Sequence, residues 1–136
     1  MALTREQLID MAVEQYFEGS NNHDAHSMVG PLSDDCVMWF NAAKYLYKGK
    51  TAIFDHLDDF AKNFKVVHFH KYVKVVDVEN QSIAVRFQVD LEHNDGDKVS
   101  MQNCNYFHAN EEGLFYEIVI FNSAPIQKGF EVGSAV

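Results

Sequence analysis

The feature that most constrains the fold is an unbroken alternation of side chains from Ile83 to Glu92. The apolar positions of this stretch are Ile83, Val85, Phe87, Val89 and Leu91. Because consecutive side chains on a strand point to opposite faces, the stretch predicts a strand with one buried face. Similar runs before and after it predict a protein built around a sheet.

Three helical segments are expected in the first half of the chain. Thr4-Arg5-Glu6-Gln7 has the form of a capping box and is followed by apolar residues at three- and four-residue spacing. A short second helix is predicted from about 24 to 28 or 29, before Gly30-Pro31. A third follows Gly49-Lys50, with Thr51 as its expected cap.

Strand segments dominate the second half. A turn is predicted at 33–35, followed by a strand at 36–40 and its hairpin partner at 45–47. Turn signals then separate four longer predicted strands, at about 66–78, 82–92, 98–109 and 114–122.

This order of elements predicts an α+β fold of one domain, 1–136. We expect three helices on the concave face of a curved mixed or antiparallel sheet, with a core at about 4–123 and a loose tail at 124–136. The helices cannot fill the concave side of such a sheet. A cone-shaped pocket is therefore expected, which is the usual site for a small molecule.

Charge and composition exclude several classes of function. The formal net charge is −9, which argues against binding to nucleic acid and to anionic membranes. No run of 18 apolar residues is present, so no membrane span is expected. Two cysteines cannot form a disulfide framework, and the amino terminus lacks the pattern of a signal peptide. These features predict a cytoplasmic protein.

Three asparagines fall where the apolar side of the sheet should be. Asn103 and Asn105 share a face with Phe107, and Asn122 ends the last apolar series. A buried amide costs free energy unless its hydrogen bonds are made. Asn105 either holds the cavity together by bonding to His68 or to Tyr16, on the inner side of the first helix, or it donates to a ligand.

His68 and His70 lie two residues apart, so on a strand they share a face. That spacing suits a pair of metal ligands, but the other histidines fall on predicted helices, turns or outward positions. We therefore predict no metal and no other cofactor. Two interpretations remain: imidazoles satisfied by backbone groups, or one imidazole acting as a general acid or base in the cone.

The remaining predicted ligand contacts are mostly aromatic. The expected wall of the cone comprises Phe40, Phe54, Phe60, His70, Phe87, Asn103, Phe107 and Asn122. The last strand also has large apolar residues on its other face, Phe115, Val119 and Phe121. An apolar outer face predicts a homodimer formed through the sheet.

Several segments together resemble one known group of proteins. They are EQYFEGSNNHD, LSDDCVMWF, YKGKTAI and NCNYFHANEEGLFYEIVIFNS. They look like the SnoaL-like branch of the nuclear transport factor two-like superfamily, whose relatives include ketosteroid isomerases, scytalone dehydratase and a lindane dehydrochlorinase. The resemblance covers about Thr4 to Ser123 and implies the cystatin-like cone, while this scaffold hosts many chemistries and also non-enzymes.

The resemblance also implies roles for individual residues. Tyr16 matches the tyrosine that holds the oxyanion in ketosteroid isomerases, and Asn105 matches the protonated aspartate beside it. The proton-shuttling aspartate of those enzymes falls at Phe40, so their mechanism is not expected here. His68 matches the catalytic histidine of the dehydratase type, whose partner aspartate falls near Asn21.

Two functions follow from these observations. The first is a lyase or isomerase that abstracts a proton from a small apolar molecule, with His68 as base and Tyr16 and Asn105 as hydrogen-bond donors. The second is a binding or carrier domain without chemistry. The absence of carboxylates at both matched positions motivates the second.

Overall fold

The computed structural model describes residues 2–40 and 46–123, and three helices precede most of the sheet. The first, α1, is a continuous run of Arg5–Ile9, a π-helical stretch Asp10–Phe17, and Glu18–Asn21. The predicted capping box is present, since the amide of Gln7 donates to Thr4 Oγ1 at 3.1 Å and that of Thr4 to Gln7 Oε1 at 2.8 Å.

The other two helices differ from the expectation in one detail. Helix α2 spans Ala25–Val29 and is capped by the side chain of Asp24. Helix α3 spans Lys50–Asn63, so it begins one residue before Thr51, the expected cap. Gly49 precedes it with φ of 92°, a conformation that glycine adopts without steric cost.

Six strands form one sheet in the order β2-β1-β6-β5-β4-β3. Their bounds are β1 Leu32–Phe40, β2 Leu46–Lys48, β3 Phe64–Asp77, β4 Ser82–His93, β5 Lys98–Ala109 and β6 Phe115–Asn122. β1 runs parallel to β6 and the other pairs are antiparallel. The predicted α+β fold with a curved mixed sheet is confirmed.

Two details of the first strand pair need correction. The turn predicted at 33–35 is wrong, because these residues belong to β1, where the pairing with β6 shifts between Leu32 and Val37. Three consecutive polar residues are typical of a turn, but here they lie within the strand, at the shift in its pairing with β6. Of the predicted hairpin partner 45–47, residue 45 lies outside the described residues.

The alternation in β4 predicts its buried face correctly. The alternating apolar side chains from Ile83 to Leu91 are each at most 3% exposed. α1 covers this face, and the ring of Phe17 lies 4.4 Å from that of Phe87 between centroids. Burial of a large apolar side chain is worth about 1.5–3 kcal/mol, so this face anchors the core.

Strand β3 does not alternate in the same regular way. Its pairing with β4 shifts twice, between Phe64 and Val66 and between His70 and Val73. Lys71 has φ of 58° at the second shift. As a result Val67 and Phe69 face the core, at 5% and 7% exposure.

β6 presents its apolar residues differently from the prediction. Phe115, expected on the outer face, is fully buried, whereas Phe121 is 43% exposed and Val119 partly exposed. Tyr116 is half-buried and faces the histidine of the neighbouring strand, with its hydroxyl 2.7 Å from His108 Nδ1. The pairing of β5 with β6 shifts between His108 and Ala109, which exchanges the faces at this end of the strand. In the described ranges no helix is both long and apolar enough to cross a bilayer.

Candidate functional site

A hollow lies between the helices and the inner face of the sheet. The space open to the centres of water molecules is about 40 Å³, and the space between the lining atoms out to the mouth is about 430 Å³. Much of its wall is aromatic, from Phe40, Phe60, Phe69 and Phe87. The polar side chains in the lining are Tyr16, Ser20, His56, Asn103 and Asn105.

The amides are the most unusual part of the lining. Asn103 and Asn105 are each 3% exposed, and Asn122 lies directly opposite Asn103 on β6. Within the described part of the chain, the Oδ1 atoms of all three have no hydrogen-bond partner. A buried polar group without a hydrogen bond lowers the free energy of unfolding by about 1–3 kcal/mol, so these amides reduce the stability of the ligand-free fold.

Tyr16 belongs to the π-helical stretch of α1 and is 2% exposed. Its ring meets that of Phe107 edge to face, with centroids 5.2 Å apart. Burial, with a smaller contribution from Cys36, raises the pKa of the Tyr16 phenol well above its usual range. The phenol is therefore neutral at physiological pH and can donate a hydrogen bond.

Cys36 is fully buried near Tyr16. Burial raises the pKa of its thiol to about 12. A thiol that stays protonated is a poor nucleophile, so nucleophilic catalysis by Cys36 is not supported.

His56 on α3 is a lining residue that was not among the predicted site residues. Its ring stacks on that of Tyr47, with centroids 4.1 Å apart, and meets the ring of Phe40 edge to face at 5.3 Å. Burial lowers the pKa of His56 to about 4, against the opposing effect of Asp59. The imidazole is therefore neutral at physiological pH.

A helical-spacing argument could have found this residue. His56 follows Ile53 by three positions and precedes Phe60 by four, and both belong to the apolar face of α3. Its neighbour Asp55, which is exposed, makes the segment look solvated.

A family comparison agrees with this architecture. The model of the SnoaL-like domain matches residues 13–118. The chain belongs to the SnoaL-like domain family. No curated protein matches it in sequence.

Solved structures share the fold of this SnoaL-like domain at low identity. BvnE pinacolase from Penicillium brevicompactum is 18% identical, with a TM-score of 0.74 over 88% of this chain and 87% of that one. A protein of unknown function with a cystatin-like fold from Methylobium petroleophilum PM1 is 19% identical, with a TM-score of 0.76 over 98% and 89%.

A third similar structure is SalBIII, described as an epoxide hydrolase/cyclase-like enzyme in pyran ring formation in polyether salinomycin. It is 15% identical, with a TM-score of 0.73 over 87% of this chain and 92% of that one. At such identities the three structures establish the fold of the SnoaL-like domain and not its chemistry.

The structure corrects the predicted location of two histidines in this SnoaL-like domain. His68 is exposed and His70 is half-buried, and neither lines the hollow. The irregularities of β3 direct Val67 and Phe69 inwards, so the residues between and after them point to the outer face. The prediction that His68 acts as a base inside the cone is therefore wrong, because its side chain does not reach the hollow.

Asn21, at the position where the resemblance implied a partner for His68, contacts β3 instead. Its Nδ2 donates to the carbonyl oxygen of Phe69 at 3.0 Å, and its Oδ1 accepts from the amide of Phe69 at 2.7 Å. The Asn21 side chain thus replaces a strand neighbour and joins the end of α1 to the sheet.

Three other predicted wall residues lie beside the hollow and not in its lining. Phe54 contacts the ring of His26, with centroids 4.6 Å apart. Phe107 is fully buried behind Tyr16, and Asn122 is half-buried opposite Asn103. Of the predicted site, the hollow brings together Tyr16, Phe40, Phe60, Phe87, Asn103 and Asn105.

Proposed function

We propose that this SnoaL-like domain binds a small, mostly apolar molecule that carries a hydroxyl or carbonyl oxygen. The observation that carries the proposal is the pair of amide oxygens on Asn103 and Asn105, which line the hollow and have no hydrogen-bond partner among the described residues. An amide accepts from a hydroxyl, and after rotation by 180° it donates to a carbonyl. Such a ligand would supply the hydrogen bonds that these side chains lack.

The lining supports an uncharged ligand. None of its described residues carries a formal charge at neutral pH, since His56 titrates at about 4. Transfer of a charged group into an apolar hollow without a partner is costly. Phenols, enols, alcohols and ketones therefore fit better than carboxylates or amines.

The size of the hollow sets a further condition on the ligand. Its volume is well below the roughly 300–1,000 Å³ typical of small-molecule sites. Only about 40 Å³ is open to water centres, which is room for a few waters at about 10–15 Å³ each. A larger guest must extend into the mouth or displace side chains.

The binding test uses uncharged phenols and cyclic ketones, with benzoates of the same shape as charged comparisons. Isothermal titration calorimetry should detect binding of at least one uncharged compound and no benzoate. Asn105→Leu should weaken that binding about tenfold or more, because one lost hydrogen bond to a buried ligand oxygen costs about 1.5 kcal/mol or more.

Asn22→Leu is the matched control, since Asn22 is exposed at the end of α1. It should leave the affinity unchanged. Equal affinities for Asn105→Leu and wild type, or a preference for benzoates, would contradict the proposal.

A second candidate function is proton transfer at a carbon beside the ligand's carbonyl. The observation that favours it is the neutral His56 imidazole in the same lining as Tyr16 and Asn105. His56 would accept the proton, and the phenol of Tyr16 and the amide of Asn105 would donate to the enolate oxygen. The similarity in fold to enzymes named as a pinacolase and as epoxide hydrolase/cyclase-like is consistent with this chemistry.

Deuterium exchange separates catalysis from simple binding. In D₂O, a bound cyclic ketone should exchange its α-protons faster with wild-type protein than in buffer, as measured by NMR. His56→Gln should reduce that rate by about 10²–10⁴ while the ketone still binds. Binding without accelerated exchange would leave the domain as a carrier.

We also propose that the outer face of the sheet forms a homodimer. Trp39 and Phe121 are 44% and 43% exposed, and Val119, the Cα partner of Trp39, lies beside them. Exposed aromatic residues grouped on one face are typical of an interface.

A further inference from the structure

A cluster of three metal-binding side chains lies on the outer face of the sheet, away from the hollow. His68 and His70 project from β3, and Asp90 projects from β4. His68 is the direct Cα partner of Asp90, so strand pairing holds these two residues side by side. The sequence alone showed two potential ligands, and the strand register supplies the third.

The three side chains already converge. The imidazole rings are parallel, with centroids 3.9 Å apart and an interplanar angle of 4°. His70 Nε2 lies 2.5 Å from Asp90 Oδ2. One ligand atom from each residue lies within 4.8 Å of the others, and no second group of this kind occurs among the described residues.

Asp90 is oriented by two further side chains. Ser100 Oγ donates to its Oδ1 at 2.7 Å, and Gln88 Nε2 donates to the same oxygen at 3.1 Å. These hydrogen bonds, with that of His70, hold the pKa of the Asp90 carboxyl at about 2. The carboxylate is therefore ionised, with one oxygen fixed and the other directed at His70. Supporting hydrogen bonds of this kind are characteristic of metal sites.

We propose that His68, His70 and Asp90 form a binding site for a divalent transition metal of the Zn²⁺, Co²⁺ or Ni²⁺ class. Two imidazoles and one carboxylate are a common ligand set for these ions, whereas Mg²⁺ and Ca²⁺ prefer oxygen ligands. The fourth position of a tetrahedral ion would be left to water.

Only a small adjustment is needed to close the site. Tetrahedral coordination at 2.0–2.1 Å places ligand atoms about 3.3 Å apart. The ligand atoms lie within 4.8 Å of one another, and His68 is exposed, so its side chain can rotate closer. His70 Nε2 and Asp90 Oδ2, now 2.5 Å apart, must separate by a little under 1 Å, the difference from about 3.3 Å. The net charge of −9 favours accumulation of cations around the protein.

The alternative interpretation is that His70 and Asp90 are only a hydrogen-bonded pair that joins β3 to β4. The two differ in their response to metal. The ion would take the place of the proton between His70 and Asp90, so a metal site predicts saturable binding of one ion, whereas a hydrogen-bonded pair predicts none.

Cobalt is the most informative probe, because its visible spectrum reports on coordination. The experiment uses the protein without an affinity tag. Titration with Co²⁺ at pH 7.5 should saturate at one ion per chain, and Zn²⁺ should displace it. His68→Gln and Asp90→Asn should each weaken Co²⁺ binding at least tenfold.

His26→Gln is the matched control, because His26 is also exposed but lies on α2, outside the cluster. It should bind Co²⁺ like wild type. Absence of saturable binding in wild type, or unchanged affinity in His68→Gln, would overturn the proposal.

Two further measurements guard against misfolded variants. Ser100→Ala removes only an orienting hydrogen bond, and such losses typically weaken metal affinity by about 10–100-fold. Zn²⁺ should also raise the melting temperature of wild type but not that of His68→Gln. Because the cluster and the hollow lie on opposite faces of the sheet, His68→Gln should not alter the binding of the uncharged ligand.

Discussion

At the scale of single residues, the buried amides of Asn103 and Asn105 stand out because the fold does not need them. The surrounding positions of the inner face are apolar and fully buried, and neither amide oxygen has a partner in the described chain. Residues that break the local rule of a core usually do so for function.

Asn105→Leu should therefore stabilise the ligand-free protein. Leucine has a similar branched shape, needs no hydrogen bond and can use part of the adjacent hollow. We expect the free energy of unfolding to rise by about 1 kcal/mol in urea denaturation. A loss of 1 kcal/mol or more would show that the amide makes a structural bond.

His56 should make stability depend on pH in a defined window. The unfolded imidazole takes up a proton near pH 6.5 and the folded one only near 4. Between these values the unfolded state binds more protons, so the free energy of unfolding falls as pH drops from 6.5 to 4. The loss is at most about 3 kcal/mol at 1.36 kcal/mol per pKa unit.

Comparison with His56→Gln isolates this effect from the other histidines. The variant should lose less stability than wild type between pH 6.5 and 4, as measured by urea denaturation at each pH. Parallel pH profiles for the two proteins would refute the buried neutral imidazole.

At the scale of elements, the side chain of Asn21 is one of the contacts that join α1 to β3. Asn21 makes both a donor and an acceptor bond to the backbone of Phe69, at the point where β3 departs from regular pairing. This contact holds the backbone of β3 against the end of α1 beside the hollow.

Asn21→Ala should consequently destabilise the fold. It leaves the amide of Phe69 without this partner, at a cost of about 1–3 kcal/mol, while the carbonyl keeps the hydroxyl of Tyr72 at 2.8 Å. Chemical denaturation measures the loss, and hydrogen exchange should become faster at the Phe69 amide. Asn22→Ala, at an exposed neighbouring position, serves as the control and should change stability by less than about 0.5 kcal/mol.

The elements also show how far the sequence could predict this protein. β4 alternates without interruption, so its buried face followed directly from its residues. His68 and His70 were placed in the cone through the family resemblance and their shared face. The shift in β3 between Phe64 and Val66, across which a period of two cannot be carried, could not be predicted from the sequence. Phe115 was assigned to the wrong face for the same reason.

The inner site was predictable where it lay on regular elements. Asn103 and Asn105 follow Phe107 on β5, which pairs with β4 without a shift, and both are buried as their spacing implied. His56 was missed because its acidic neighbours mask the apolar face of α3. The cluster of His68, His70 and Asp90 required the pairing register of β3 and β4, which the sequence alone does not give.

At the scale of the whole molecule, the outer face of the sheet predicts the state of assembly. Phe115 is buried, so the apolar side chains exposed on the outer face of β1 and β6 are mainly Trp39, Val119 and Phe121. Sedimentation equilibrium should give twice the chain mass of 15.6 kDa. Phe121→Glu should shift the protein towards the monomer without loss of helical circular dichroism, whereas a wild-type monomer at high concentration would rule out this dimer.

The central claim is that the hollow between the helices and the sheet receives a small oxygenated molecule through its amides. A high-resolution crystal structure of the protein with the best-binding phenol or ketone tests it most directly. We predict density for that compound within the hollow, with its oxygen at hydrogen-bond distance from the side chain of Asn105. Ordered waters alone that satisfy all three asparagines, with the compound bound elsewhere, would contradict the account.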